Sequence, residues 1–132
     1  MGADYNQCVK AIAEAEAYPG PSLIIGYAPC IAHGIQGGMK VSMTQEKRAV
    51  QSGYWSLFRY NPLLAEEGKN PFTMDSKEPT LSYREFIETE VRYNRLLRSN
   101  PEKAEELFKR SEKEAKFRLE TFKRRTTWNV EE

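Results

Sequence analysis

Ser22-Leu23-Ile24-Ile25-Gly26-Tyr27-Ala28-Pro29-Cys30-Ile31-Ala32-His33-Gly34 is the stretch on which the reading of this chain turns. An apolar run of strand length, Ser22 to Tyr27, ends in a proline that has no N–H to give to a ladder, and a cysteine follows on the adjoining loop. The run lacks polar alternation, the pattern of a strand covered on both faces by helices in a parallel sheet. Chemistry in open α/β sheets sits at the carboxyl ends of strands, where loops hold side chains over a rigid edge. The expectation is therefore an α/β fold with Cys30 at a strand end. The chain offers one other good strand candidate, Tyr54 to Tyr60, so the sheet is expected to be incomplete within this sequence.

Upstream of this stretch, Asp4 can cap a helix, with Gln7 three residues on to reach back. Tyr5, Cys8, Val9, Ile12 and Ala15 then share an apolar face, with Lys10 and Glu14 off it and Glu16 at its edge, which places Cys8 in the core. Pro19-Gly20-Pro21 obliges the helix to stop by Tyr18. Downstream, Gly34-Ile35-Gln36-Gly37-Gly38 matches neither a Walker loop nor a dinucleotide fingerprint and reads as a flexible loop.

Ser42 to Gln51 reads as a short helix with Met43, Lys47 and Val50 on one face, Ser42 or Thr44 as cap, and Gly53 ending it. In Tyr54 to Tyr60, Trp55, Leu57 and Arg59 fall on one side of a strand and Tyr54, Ser56, Phe58 and Tyr60 on the other. Residues 61–80, with Pro62, Gly68, Pro71 and Pro79, read as an irregular segment that wraps over another surface.

A complete helix start follows: Ser82 caps, Glu85 answers it, and Leu81 can staple onto Phe86. Phe86, Ile87, Val91, Leu96 and Leu97 supply the buried face. Asn100 then caps a second helix with Pro101 in its first turn, along which Ala104, Leu107, Phe108, Ala115, Leu119 and Phe122 form a narrow stripe. Glu105 with Lys109, and Glu112 with Lys116, are spaced to pair. The two helices are expected to form a hairpin over 81–125, with residues 126–132 fraying. The chain thus divides into an α/β part (1–60), a wrapping segment (61–80) and the hairpin.

Composition excludes several classes. The chain has 132 residues, room for a single domain, and 20 Lys and Arg stand against 19 Asp and Glu, so a net charge of +1 gives no electrostatic argument for nucleic acid or an acidic membrane. No run approaches the length needed to span a bilayer, and a cytoplasmic location is expected. The two cysteines are too few for a disulfide framework. Cys30-x-x-His33 has metal-ligand spacing but supplies two donors where a closed zinc site needs four, and no sequence pattern assembles a catalytic triad around the single histidine. Cys30 on these grounds is a ligand, a nucleophile or a buried thiol.

Separate motifs in order carry a resemblance. Met1-Gly2-Ala3, Asn6-Gln7, Tyr18-Pro19-Gly20-Pro21, the Cys30 stretch, Gly53-Tyr54-Trp55, Arg59-Tyr60-Asn61-Pro62, Glu67-Gly68-Lys69-Asn70-Pro71-Phe72 and Asp75-Ser76-Lys77-Glu78-Pro79 together resemble the C-terminal end of pyruvate:ferredoxin (flavodoxin) oxidoreductase. The match thins after about Arg124; Gly26 and Ala32 stand where the family pattern has Ala and Asn. The resemblance implies a fragment of the three-layer thiamine-diphosphate domain, with few strands and closing helices, and makes Met1 an accident of truncation.

It implies an enzyme in which thiamine diphosphate, held with Mg, attacks pyruvate. Carbon dioxide leaves, coenzyme A takes the acetyl group, and electrons pass through 4Fe-4S clusters to ferredoxin or flavodoxin. The family cysteine matching Cys30 is the fourth thiolate of the cluster nearest the thiamine; the other three lie upstream. Soft thiolate sulfur suits that role. The chain alone is accordingly expected to bind no cofactor, to lack activity and, through the apolar surface left bare, to self-associate. The rival reading is a stand-alone, non-catalytic interaction or assembly module derived from that scaffold. A small redox or zinc protein using Cys8, Cys30 and His33 is weaker, because Cys8 falls on a helix face that favours burial.

Overall fold

The computed structural model describes residues 3–127, so Met1, Gly2 and the tail beyond Thr127 lie outside the described residues. Within them the order is α1 (Tyr5–Ala17), a 3-10 turn (Met39–Val41), α2 (Ser42–Gln51), β1 (Phe58–Tyr60), α3 (Leu63–Glu66), β2 (Phe72–Met74), α4 (Tyr83–Thr89), α5 (Val91–Ser99) and α6 (Pro101–Arg125). Helix and strand are mixed, as the sequence suggested, but helices dominate and the sheet is a two-stranded antiparallel pair.

Three expectations about strands are corrected. Ser22 to Tyr27 has no regular secondary structure and is in no ladder among the described residues, and Leu23, Ile24 and Ile25 are 84%, 57% and 66% exposed. A strand is stable only when its N–H and C=O groups find a neighbour, and no described strand lies beside this one. The second candidate contracts to Phe58–Tyr60, which pairs with Phe72–Met74 from within the segment read as irregular. That segment also contains α3, with Pro62 at its cap position and Asn61 before it, whose Oδ1 accepts from the Leu63 N–H at 3.1 Å; Gly68 follows the helix at φ +70°.

Helix α1 is capped as read: Asp4 Oδ1 accepts from the Gln7 N–H at 3.0 Å. The Gln7 side chain does not reach back to the cap; it donates to Asp75 Oδ2 at 3.1 Å. Asp75 also receives a forked pair of 2.8 Å hydrogen bonds from Arg59 Nε and Nη2, while Arg59 Nη1 pairs with Glu14. Burial pushes the Asp75 carboxyl up, but the Arg59 and Gln7 hydrogen bonds outweigh it and hold the group below its ordinary value. Charged contacts therefore dock α1 on the β1–β2 pair. Its apolar face stays open, with Tyr5, Val9 and Ile12 exposed and Cys8 only half-buried, so the core placement of Cys8 is corrected.

The hydrophobic core lies instead among α2, α4 and α6. Ala49, Tyr83, Phe86, Ile87, Ala104, Phe108 and Ala115 form it, with Tyr27, Tyr54, Trp55, Tyr93 and Leu96 packed around. In α2 the buried residues are Gln45 and Ala49, while on the predicted Met43, Lys47 and Val50 face Met43 and Lys47 are exposed and Val50 is half-buried, and Val41 rather than Ser42 or Thr44 stands at the cap position. Gly53 ends that helix at φ +72°.

In the hairpin both caps form: Ser82 Oγ accepts from the Glu85 N–H and Asn100 Oδ1 from the Lys103 N–H. Along α6, Ala104, Phe108, Ala115 and Leu119 are buried, and Ser111 between them bonds the Tyr83 hydroxyl at 2.6 Å. Leu107 lies off the stripe, and Phe122 joins a second aromatic group with Phe58 and Phe72 at the far end. Glu112 pairs with Lys116 as predicted, whereas Glu105 pairs with Arg84 across the hairpin. The first arm is not continuous: it breaks at Glu90, which is extended (φ −84°, ψ 120°) between α4 and α5.

Candidate cysteine site

The break at Glu90 positions the loop that bears Cys30. On one side of the loop, the Tyr27 ring packs 5.8 Å from Tyr54 and 5.7 Å from Trp55, and its hydroxyl reaches Glu90 Oε1 at 3.5 Å. On the other, buried Ile35 forms an antiparallel bridge with Glu90 itself. The Gln36 N–H donates to the Thr89 carbonyl at 2.8 Å and the Val91 N–H to the Gly34 carbonyl at 3.3 Å.

Glu90 is 6% exposed, and a carboxylate so enclosed must be hydrogen-bonded. Gln45 Nε2 meets this need, donating at 2.8 Å to Glu90 Oε1 and at 2.8 Å to Thr89 Oγ1. Burial first, and then the negative charge of Glu90, push the Tyr27 phenol well above its ordinary range, so it remains a protonated donor.

Between these anchors the backbone turns through residues 31–33, with the Gly34 N–H donating to the Cys30 carbonyl at 2.8 Å and Gly34 at φ +77°. Pro29 is buried, Cys30 half-buried, and Ile31 and His33 exposed. Cys30 Sγ lies 3.1 Å from His33 Nδ1. That contact, assisted by the His33 and Ala32 backbone, lowers the Cys30 thiol to about 7. Thiolate, not thiol, is the nucleophile and the metal ligand, so near neutrality this sulfur is available in its binding form. The cysteine thus sits on a turn rather than at the end of a ladder strand, and its nearest polar partner is the histidine three residues on.

A direct test is alkylation of Cys30 by iodoacetamide as a function of pH, in a Cys8→Ala background. The rate should rise through a midpoint near pH 7. His33→Ala should move the midpoint up toward the ordinary thiol value, about 8.5, and slow alkylation at neutral pH about tenfold. Unchanged profiles would show that His33 does not act on the sulfur.

Cys8 and Cys30 are both free, and among the described residues no group of three or more His, Cys, Asp and Glu side chains could hold a metal ion. The zinc arrangement of Cys8, Cys30 and His33 is therefore not assembled. Sequence reasoning missed Glu90, Gln45 and Thr89. Its one local trace is an acid at position 90 beside Ile87 and Val91, a charge on the apolar side of what reads as a continuous helix.

The curated proteins to which the sequence is similar are named as enzymes that act on pyruvate. No protein-family model matches it. The chain is 56% identical over 124 residues to pyruvate:ferredoxin oxidoreductase of Moorella thermoacetica, covering 94% of this chain and 10% of that protein. It is 56% identical over the same length to pyruvate-flavodoxin oxidoreductase of Enterobacter agglomerans, covering 11% of that protein. A mitochondrial NADP-dependent pyruvate dehydrogenase of Euglena gracilis is 50% identical over 99 residues, 75% of this chain and 6% of that protein. Over nearly its whole length the chain is similar to a segment of pyruvate:ferredoxin and pyruvate-flavodoxin oxidoreductases, and it spans about a tenth of the length of these relatives.

Proposed function

We propose that this chain is a C-terminal part of the thiamine-diphosphate domain of a cytoplasmic enzyme that oxidises pyruvate, with coenzyme A, to acetyl-CoA and carbon dioxide and passes the electrons to ferredoxin or flavodoxin. The observation that carries this is identity above half along nearly the whole chain to relatives bearing those names. Cys30 is assigned as one thiolate ligand of a 4Fe-4S cluster. Its surroundings fit one corner of such a site: a half-buried sulfur, lowered to about 7, on a loop fixed at both ends. The remaining thiolates and the groups that hold thiamine diphosphate and Mg are assigned to the remainder of the enzyme. When bound, the cluster supplies one-electron transfer; this chain's own residues hold Cys30 and its turn in place. The experiment is a pyruvate-dependent ferredoxin or flavodoxin reduction assay on the complete natural polypeptide carrying this sequence, beside the 132-residue chain. Activity in the first and none in the second is expected; no activity in the first would overturn the reading.

The bare apolar surface has its own consequence. Consecutive Leu23, Ile24 and Ile25, exposed and in no described ladder, leave backbone and apolar surface open to pairing with another chain. The 132-residue chain alone should self-associate, and Ile24→Lys should reduce this. Light scattering that shows a clean monomer at every concentration would count against it. No helix among the described residues is long and apolar enough to cross a membrane.

A further inference from the structure

Glu90 makes a set of contacts whose common effect falls on one loop. Its side chain meets Tyr27, three residues before Cys30, and its backbone bridges Ile35, five residues after it. Gln45 braces the same carboxylate oxygen from α2, and Thr89 beside it takes the second Gln45 hydrogen bond while its carbonyl receives the Gln36 N–H. Placing a nearly enclosed carboxylate here costs desolvation energy that an apolar side chain would not incur. The same residue stands at the break between α4 and α5.

We infer that Glu90 is a positioning residue that clamps both ends of the 28–34 loop and so fixes where the Cys30 sulfur is presented. This rests on the assignment of Cys30 as a cluster ligand. The carboxylate never touches the sulfur; it holds Tyr27 on one flank and is braced by Gln45, while the backbone at Glu90, through its neighbours Thr89 and Val91, pairs with residues 34–36 on the other. Outer partners of metal ligands act in this way, by fixing ligand orientation. A glutamine at position 90 would still offer an Oε1 to both Gln45 and Tyr27, whereas alanine offers neither.

The test uses the complete polypeptide, comparing Glu90→Ala, Glu90→Gln and Tyr27→Phe with the wild type by peptide-resolved hydrogen exchange and by the cluster's electron paramagnetic resonance and midpoint potential. Amides in residues 28–36 of Glu90→Ala should exchange at least about tenfold faster, while those in α6 stay unchanged. Tyr27→Phe should show a smaller acceleration in the same loop, and Glu90→Gln should remain near wild type. The spectrum and potential should shift in Glu90→Ala and not in Glu90→Gln. Acceleration spread evenly over loop and α6, or none in the loop, would overturn the clamp by making Glu90 a general stability residue or an idle one. Retention of an unaltered cluster signal by Cys30→Ala would instead overturn the ligand assignment, and the exchange data would still decide the clamp.

Discussion

Replacing Cys30 with alanine in the complete polypeptide should lower pyruvate-dependent reduction of ferredoxin or flavodoxin at least about 100-fold, because changing even a residue that merely supports a metal ligand costs up to about that factor. The loss should be accompanied by loss of one cluster's signal from the spectrum. Cys8→Ala is the internal control: Cys8 is half-buried on α1 and, among the described residues, makes no polar contact with the Cys30 loop, so activity should stay within about twofold. Equal loss from the two substitutions would point to the fold, and retention of activity by Cys30→Ala would end the assignment.

The second large effect concerns the core. Phe86 is fully buried, with Tyr54 at 4.8 Å between ring centroids, and belongs to the group that joins α2, α4 and α6. Truncation to alanine should cost about 3–5 kcal/mol, the usual loss for a buried aromatic side chain that leaves a cavity. Domains of this size are stable by only about 5–15 kcal/mol in all, so Phe86→Ala should unfold at a much lower urea concentration. Phe117→Ala is the comparison, since Phe117 is 67% exposed on α6 and should change stability by less than about 0.5 kcal/mol. A shift of similar size in both variants would mean that the core does not lie where Phe86 is.

What could be read from sequence was whatever is decided within a few residues. Asp4, Ser82 and Asn100 announce their helices because a cap side chain bonds an N–H three positions on, and all three do so. The α6 stripe is equally legible, since α-helical spacing alone sets which residues share a face. What failed was decided at a distance. Ser22 to Tyr27 has the composition of a covered strand, but strand formation depends on neighbours. Phe72–Met74 was hidden among prolines and glycines because its partner, Phe58–Tyr60, lies more than ten positions away. The inward turn of Gln45 follows from a buried acid 45 residues later, a pairing no local pattern encodes. The candidate site divides the same way: Cys30 and His33 are visible as a motif, and the framework that holds them is not.

Helix α6 touches two separate aromatic groups. Phe108 stands with Tyr93 and under the Arg84 guanidinium, and Phe122 with Phe58 and Phe72. At 1.5 Å per residue these contacts are about 21 Å apart along the axis. The helix therefore acts as a spacer whose phase matters as much as its length. One residue inserted between Phe108 and Phe122 would turn the second ring about 100° away from its partners, so length variation is excluded from this helix while substitutions on its solvent side are not.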